Sequence, residues 1–248
     1  MFEDTIKQVH AIGYRNGAVE EFDDPVVVED TATLYFNGKK YISVVLTNDS
    51  LTEFGAGFCI AAGIAKSIDK VEVSGLDIYV EGEALSSGSG CLGSAGGYMQ
   101  RPDEVAARTV ADTASSIAPE EIFALREALN GDAWSQTGGL HCTALSYRHQ
   151  VVGLFSDIAR HNTVDKAIGY MVLQGYNPQE CVLGCTGRQP VGMVQKAVNA
   201  GIPIIVSRAA ATTGGIAVAE KCGVTLICFT RDRRFTVYTH PQRVILPQ

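Results

Sequence analysis

The chain lacks any stretch that would hold it in a membrane and any signal that would export it. No apolar run approaches the ~18 residues that a membrane-spanning helix needs. The first residues, MFEDTIKQ, are acidic where a secretory signal peptide carries basic residues before an apolar segment. We therefore expect a cytoplasmic protein with no membrane partner.

Positive charge is also scarce. The 20 lysines and arginines are outnumbered by 27 acidic residues, and the formal net charge is −7. Nucleic acids and anionic membranes attract proteins chiefly through a surplus of basic residues. We therefore expect no nucleic-acid partner, while a local group of arginines remains able to bind a small anion.

Zinc-binding patterns are missing as well. Neither H-x-E nor C-x-x-C occurs, and a zinc deaminase needs both. We therefore expect no tightly bound metal. The chain has seven cysteines and no export signal, so we expect most of them to be reduced thiols packed in the core. This interpretation covers Cys59, Cys181, Cys185, Cys222 and Cys228.

Apolar residues are plentiful, at 46% of 248 positions, enough for a sizeable core. The N-terminal part has the patterns of strands. Asn37-Gly38 lies between two apolar runs and predicts a type I′ hairpin. Ser50 and Glu53 then stand at capping-box spacing before an apolar run that predicts a buried helix. The stretch KVEVSGLDIYVEG predicts two further strands.

The C-terminal part alternates between strand and helix patterns. A helix is predicted from Pro119, followed by apolar strands at QVVGLFS, ECVLGC, IPIIVS and VTLICFT with helical patterns between them. Such alternation is typical of an α/β layer around a largely parallel sheet.

Polar clusters follow or precede several of these strands, where open α/β sheets place their ligands. Purely structural alternatives exist for three of the clusters: an N-cap by Asn162 beside solvated charges, a turn before a buried His141, and a solvated edge of arginines. A plain scaffold, however, has no need of polar groups at so many strand ends. The candidate binding residues are His141; Arg160, His161, Asn162, Asp165 and Lys166; Thr186, Gly187 and Arg188; Ser207 and Arg208; and Phe229, Thr230, Arg231, Asp232, Arg233 and Arg234.

One cysteine stands apart from the others. Cys91 lies in EALSSGSGCLGSAGGYMQR, a glycine and serine stretch that can bury almost nothing. A mobile loop of this kind suits a nucleophile that must travel between two sites, although an incidental cysteine in a flexible connector would have the same pattern.

Several of these stretches together resemble the FdhD/NarQ family of formate dehydrogenase accessory sulfurtransferases. The resemblance is carried by FSDIARHNTVDKAIGY, by TGGLHC, by LTEFGAGFCIAAGI and by the long stretch from GIPIIVSRAAATTGG to FTRDRRFTVYT. It implies a three-layer, cytidine-deaminase-like α/β domain with a smaller β-rich N-terminal domain, and a homodimer. We would then expect residues 1–85 to form the β-rich part, 86–101 the loop with Cys91, and 102–248 the α/β domain.

The same resemblance implies a function. Family members carry sulfur, as a persulfide, from a cysteine desulfurase to the molybdenum of a bis-molybdopterin guanine dinucleotide cofactor, which is then inserted into formate dehydrogenase. Cys91 would be the carrier, and GDP or GTP would mimic the cofactor in the strand-end clusters. The segment Phe229 to Arg234 matches the family's cofactor segment.

The chain departs from the family pattern in the loop. The family has C-x-x-C there, whereas this sequence has Cys91 alone, with Gly88 or Ser94 at the other position. A second hypothesis therefore stays open: an accessory protein that binds a guanine nucleotide or the cofactor without transferring sulfur.

Overall fold

A computed structural model describes residues 5–85, 91–92, 98–99, 109–110, 115–130 and 137–246. Within these ranges, no helix is long and apolar enough to cross a membrane. The chain begins with an antiparallel ribbon of two strands, β1 (Ile6–Arg15) and β2 (Ala18–Val27). Its turn is Asn16-Gly17, and both residues have the positive φ that a type I′ turn requires.

A four-stranded sheet follows. Its strands are β3 (Asp30–Phe36), β4 (Lys39–Leu46), β5 (Ala65–Ser74) and β6 (Asp77–Ala84), in the order β4-β3-β6-β5. The predicted hairpin at Asn37-Gly38 is confirmed, with φ angles of 46° and 76°. The two strands predicted after the helix are also confirmed, as β5 and β6.

Helix α1 (Leu51–Ala61) covers the inner face of this sheet, and nine of its 11 residues are buried, Cys59 among them. The predicted buried helix is thus confirmed, but the predicted capping box is wrong. Ser50 is the N-cap residue, yet its backbone is left-handed, at φ 48°, and its side chain makes no capping hydrogen bond. A side-chain cap needs the extended backbone of an ordinary N-cap residue.

Beyond a short pair of strands, β7 (Cys91–Leu92) and β8 (Tyr98–Met99), lies a six-stranded sheet. Its strands are β9 (His141–Tyr147), β10 (Gln150–Asp157), β11 (Cys181–Cys185), β12 (Ile204–Ser207), β13 (Thr225–Arg231) and β14 (Arg234–Val237). Their order in the sheet is β10-β9-β11-β12-β13-β14. Among the described strands of this sheet, only β11 with β12 and β12 with β13 pair in parallel. The prediction of a largely parallel sheet is therefore wrong, because a hairpin closes each side of the sheet.

Helices lie on both faces of the large sheet, so the predicted α/β class is confirmed. Helix α2 (Pro119–Ala128) packs on the face that carries Ala144 and Val206. The opposite face, with Leu145 and Ile205, packs against three other helices. The cytidine-deaminase-like character of the domain stays a prediction. The three helices are α3 (Arg160–Leu173), α4 (Val191–Ala200) and α5 (Thr213–Cys222).

Helices α1 and α3 cross at two glycines. A Cβ placed on Gly57 would lie 1.7 Å from the Asp165 carbonyl oxygen, and one on Gly169 would lie 1.7 Å from that of Glu53. Only glycine permits this approach, which joins the N-terminal sheet and the large sheet through one apolar core. The division into domains stays a prediction. The cysteines predicted to be in the core, Cys59, Cys181, Cys185, Cys222 and Cys228, are all buried free thiols.

Candidate functional site

The strand pairing brings most of the predicted clusters to one edge of the large sheet. His141, at the start of β9, pairs with Asp157 at the end of β10. Cys185, at the end of β11, pairs with Ser207 at the end of β12. Because β9 runs antiparallel to β10 and β11, the start of β9 lies beside the ends of both strands. The loops that carry the polar residues are therefore neighbours.

A cavity of ≈ 540 Å³ opens among these loops. Its wall includes six of the predicted residues together with residues that the sequence did not single out. Arg126, from helix α2, is the charged member of the second group. The lining residues of this strand-end cavity are Arg126, Gly138, Gly139, Leu140, His141, Ile158, Thr186, Arg208, Ala209, Thr230, Arg231 and Asp232.

Two polar groups in the wall have no hydrogen-bond partner within the described structure. Thr230 is fully buried with an unpartnered Oγ1, and the buried Nε of Arg126 is also unpartnered. The Arg126 side chain is only 19% exposed, and one of its terminal nitrogens lies 3.5 Å from an Asp232 carboxylate oxygen. Buried polar groups in folded proteins nearly always have partners, so these two stand out as unsatisfied polar atoms of the cavity wall.

Positive charge concentrates beside the cavity, at the start of α3. The Arg160 guanidinium has its pKa lowered, first by burial and then by neighbouring Arg188. A Cβ on Gly187 would lie 2.8 Å from the Arg160 side chain, so glycine there lets the arginine pack against the loop. The first turn of α3 adds backbone N–H groups that have no partner within the helix. Two arginines and a helix start together favour an anion.

His141 lines the cavity and is hydrogen-bonded to a neighbouring loop. Its Nδ1 lies 3.1 Å from Thr186 Oγ1, which also accepts the Cys142 N–H at 3.0 Å. Burial and the charge of Arg160 lower the pKa of His141, against a smaller opposing effect of Asp157. His141 is therefore held neutral and oriented near neutral pH, able to accept or donate a single hydrogen bond.

His161 lies in the first turn of α3 and is 6% exposed, and its Nδ1 has no hydrogen-bond partner among the described residues. Burial, reinforced by Lys196, Arg160 and His141, lowers its pKa to about 3. A buried imidazole beside the cations Lys196 and Arg160 stays neutral because a further positive charge there would be neither solvated nor paired.

Two further predicted residues support the site and do not face the cavity. Ser207 is buried, accepts the Ala209 N–H at 3.1 Å and donates to the Gly187 carbonyl at 2.8 Å. Asn162 donates to the Val45 carbonyl and to Asp157 Oδ1, both at 2.9 Å. Helix α3 begins at Arg160, so the alternative in which Asn162 is its N-cap is wrong.

Asp165 and Lys166, also predicted to bind the cofactor, point away from the cavity. The Lys166 ammonium is completely buried between Asp49, at 2.6 Å, and Asp157, at 2.9 Å. Asp165 pairs with Lys196 at 2.5 Å, and burial raises its pKa to about 6 despite that lysine. Both residues fix α3 in place.

The FTRDRR segment reaches the cavity in part. Thr230, Arg231 and Asp232 line it. Phe229 has a left-handed backbone, at φ 53°, and is 37% exposed. The other two arginines of the segment are exposed at the turn between β13 and β14 and do not line the cavity.

The backbone of Cys91 pairs with Met99 in the short β7–β8 pair. The Cα atoms of β8 lie within 8 Å of those of α4, the helix that follows the Arg188 loop. The predicted mobile loop, residues 86–101, lies otherwise outside the described residues, as does the Cys91 side chain.

The family model of the FdhD/NarQ family matches residues 27–245, a range that contains every part of this site. The chain belongs to the FdhD/NarQ family. It is 32% identical to the sulfur carrier protein FdhD of Methanothermobacter thermautotrophicus, over 90% of this chain and 92% of the relative. It is 28% identical to the sulfur carrier protein FdhD of Bacillus subtilis, over 93% of this chain and 94% of that relative.

A solved structure has the same overall fold as this chain. The crystal structure of a candidate formate dehydrogenase accessory protein from Desulfotalea psychrophila superposes with a TM-score of 0.83. The likeness covers 97% of this chain and 100% of that one, at 26% sequence identity. The predicted family is thus confirmed, and of the predicted fold the mixed α/β class is confirmed.

Proposed function

We propose that this protein is a sulfur carrier for formate dehydrogenase maturation. In this proposal Cys91 accepts sulfur from a cysteine desulfurase and passes it to the molybdenum of a bis-molybdopterin guanine dinucleotide cofactor. Relatives named sulfur carrier protein FdhD support the carrier role. The likeness to the formate dehydrogenase accessory protein from Desulfotalea psychrophila supports the accessory role. The observation that carries the proposal is the strand-end cavity, where arginines and unpaired buried polar groups meet in one place.

The sulfur step needs a single accessible thiolate. The Cys91 thiolate attacks the terminal sulfur of the desulfurase persulfide, a new S–S bond forms, and the desulfurase cysteine leaves as a thiolate. Onward transfer breaks the S–S bond and returns Cys91 to its thiolate, with the client metal centre as the electron donor. Cys91 would act as a persulfide carrier, and the protein as a sulfurtransferase, with the metal cofactor as its substrate.

The cavity suits the guanine dinucleotide part of that substrate. Its volume of ≈ 540 Å³ falls within the usual range for small-molecule sites. Arg160, Arg188 and the first turn of α3 would hold a phosphate, while Thr230 and Asp232 offer polar groups to a base. We propose that GDP or GTP binds there as a mimic of the cofactor.

The proposal includes partners and a compartment. A cysteine desulfurase supplies the sulfur, the formate dehydrogenase apoprotein receives the finished cofactor, and the protein acts as a homodimer in the cytoplasm. No resident metal is required, because the reacting metal arrives with the substrate.

A second candidate function is favoured by the loss of one loop cysteine. A protein that binds the nucleotide or the cofactor without moving sulfur would need the cavity but no relay of thiols. The other six described cysteines are buried free thiols, and burial raises the pKa of each of them. For Cys59, Cys181, Cys185 and Cys228 the pKa rises to about 12. Little thiolate forms on any of these cysteines at neutral pH, so none of them replaces the missing one readily.

Mass spectrometry after incubation with a cysteine desulfurase and cysteine separates the two functions. The carrier should gain one sulfur atom on the peptide that contains Cys91, and Cys91→Ser should gain none. Cys185→Ala, which removes a buried thiol, is the control and should load normally. GDP binding without any sulfur on Cys91 would favour the second function instead.

A further inference from the structure

The ribbon of β1 and β2 carries exposed apolar residues near its turn. Ile12, Tyr14 and Val19 are 69%, 75% and 72% exposed. Tyr14 pairs directly with Val19, and Ile12 lies two residues before Tyr14, so all three occupy one face of the ribbon. Within the described residues, neither strand pairs with any other. A two-stranded ribbon alone is marginally stable in water, whereas three or more strands with an apolar face are stable.

The outer edge of β1 is open for pairing. The two-residue turn makes Arg15 and Ala18 a hydrogen-bonded pair, so bonding alternates along the ribbon from there. Tyr14, Ile12 and His10 then direct their backbone N–H and C=O groups away from β2. From residue 8 to residue 14, β1 has no proline and no residue with a formal charge, which are the usual protections of an edge strand.

The outer edge of β2, by contrast, is protected. The same alternation directs the backbone of Val19, Glu21, Asp23 and Pro25 outward. Pro25 has no N–H to offer a further strand, and its place on the outward side agrees with the alternation. Acidic side chains at positions 20, 21, 23 and 24 would repel a second copy of this strand.

We propose that the outer edge of β1 pairs antiparallel with the same edge of a second copy of this chain. The result is one sheet of four strands, in the order β2-β1-β1-β2, with a two-fold axis between the copies. An identical edge is self-complementary under such an axis, and the uncharged run from residue 8 to residue 14 meets itself without repulsion. The acidic edges of β2 stay on the outside of the sheet.

The pairing also places the exposed apolar residues on a larger sheet. A two-fold axis perpendicular to the sheet keeps the same face of both ribbons on the same side. Ile12, Tyr14 and Val19 of the two copies then lie on one face of a four-stranded sheet, which they share with His10, Glu21 and Asp23. A sheet of four strands is more stable in water than a ribbon of two. In each copy the base of the ribbon stays beside its own cavity, since a Cβ on Gly139 would lie 3.2 Å from Val27.

Two proline variants of one cross-strand pair test the proposal by sedimentation equilibrium. Ile12 and Glu21 face each other and both direct their N–H groups outward, on opposite edges. Ile12→Pro removes a donor from the β1 edge of each copy and should weaken self-association about tenfold or more. Glu21→Pro alters the protected edge equally and should leave self-association within about twofold of the original protein. Thermal unfolding establishes that both variants fold.

A third variant covers the chance that proline disturbs the ribbon itself. Ile12→Lys keeps the backbone N–H and places a charge of each copy near the other, so it should also weaken self-association. The proposal is overturned if the unaltered protein is monomeric, if Ile12→Pro and Ile12→Lys both associate normally, or if the two prolines weaken association equally. The readout is oligomeric state alone, so the proposal stands or falls separately from sulfur transfer.

Discussion

The Lys166 ammonium and the Asp157 carboxylate are 2.9 Å apart, and neither side chain is exposed to solvent. Asp157 also accepts the Thr47 N–H at 3.1 Å and the Ala159 N–H at 3.0 Å. Lys166 donates to Thr47 Oγ1 at 2.9 Å. One ionic cluster therefore ties the N-terminal sheet to the end of β10 and the start of α3. The shape of the strand-end cavity depends on this cluster, because the cluster holds the start of α3 and α3 begins beside the cavity.

Lys166→Met should destabilise the fold by about 3–5 kcal/mol, because it leaves the buried carboxylate of Asp157 without its ammonium partner. Urea unfolding gives the free-energy difference. Lys66→Met is the control: Lys66 pairs with Glu83 at 3.2 Å on the surface, where such a pair is worth less than about 1 kcal/mol. Equal, small effects of the two substitutions would contradict the role of the buried cluster.

Gly57→Ala should cost about 3 kcal/mol in unfolding free energy, because its Cβ would collide with the backbone of α3 and push the two helices apart. Gly184→Ala is the control. Its Cβ would meet only side-chain atoms, the nearest 3.2 Å away on Leu125, which can shift. Chemical denaturation of both variants compares them, and a neutral Gly57→Ala would mean that α1 and α3 do not approach so closely.

Local signals in the sequence predicted the elements better than the direction of the strands. Asn37-Gly38 marks its hairpin because both residues tolerate positive φ. The β9–β10 turn uses Arg148 and His149, at φ 48° and 68°, and nothing in those residue types predicts a tight turn. The sequence therefore does not predict the β9–β10 hairpin, and without it the expected sheet is largely parallel. Asn16-Gly17 carried a signal that could have predicted the first ribbon.

The site was predictable as a set of loops but not as a set of side-chain directions. His141, Thr186 and Arg208 come from three different loops and line one cavity. Lys166 belongs to the predicted cluster at the start of α3, yet it lies inside the fold between the carboxylates of Asp49 and Asp157. The sequence of α3 alone does not show this direction. Arg126 resembles a solvated charge in the last turn of a helix, and only the packing of α2 beside the cavity gives it a role.

His161 should make the fold less stable as the pH falls. Its pKa is about 3 in the folded protein against an ordinary 6.5, so below about pH 6.5 the unfolded chain takes up a proton that the folded one does not. Between about pH 7 and about pH 5 this costs about 2 kcal/mol. His161→Gln should lose that part of the pH dependence, whereas exposed His149→Gln should not. Identical pH profiles of the unfolding free energy for His161→Gln and the original protein would exclude the effect.

Arg160→Ala should weaken GDP binding by about 1–3 kcal/mol, as expected for the loss of a charge-assisted hydrogen bond. Arg148→Ala is the control, since Arg148 lies at the other end of β9 and pairs with Glu180 at 3.1 Å. The affinity of the Arg148→Ala variant for GDP should be unchanged. Titration calorimetry also tests ATP, which should bind more weakly because adenine leaves groups that match guanine unpaired. Equal affinity for both nucleotides would defeat the guanine assignment.

Thr230→Val should change stability and binding in opposite directions. The Thr230 hydroxyl is buried beside the cavity with no hydrogen-bond partner in the described part of the chain, and valine has the same shape without the polar atom. The free variant should therefore unfold at a higher temperature, by a gain of about 1 kcal/mol, because an unsatisfied buried group is removed. If the hydroxyl instead pairs with the bound nucleotide, the same variant should bind GDP about tenfold more weakly. Differential scanning calorimetry and titration calorimetry on one preparation measure both effects, and a variant that loses stability while keeping its affinity would show that the hydroxyl serves the fold and not the ligand.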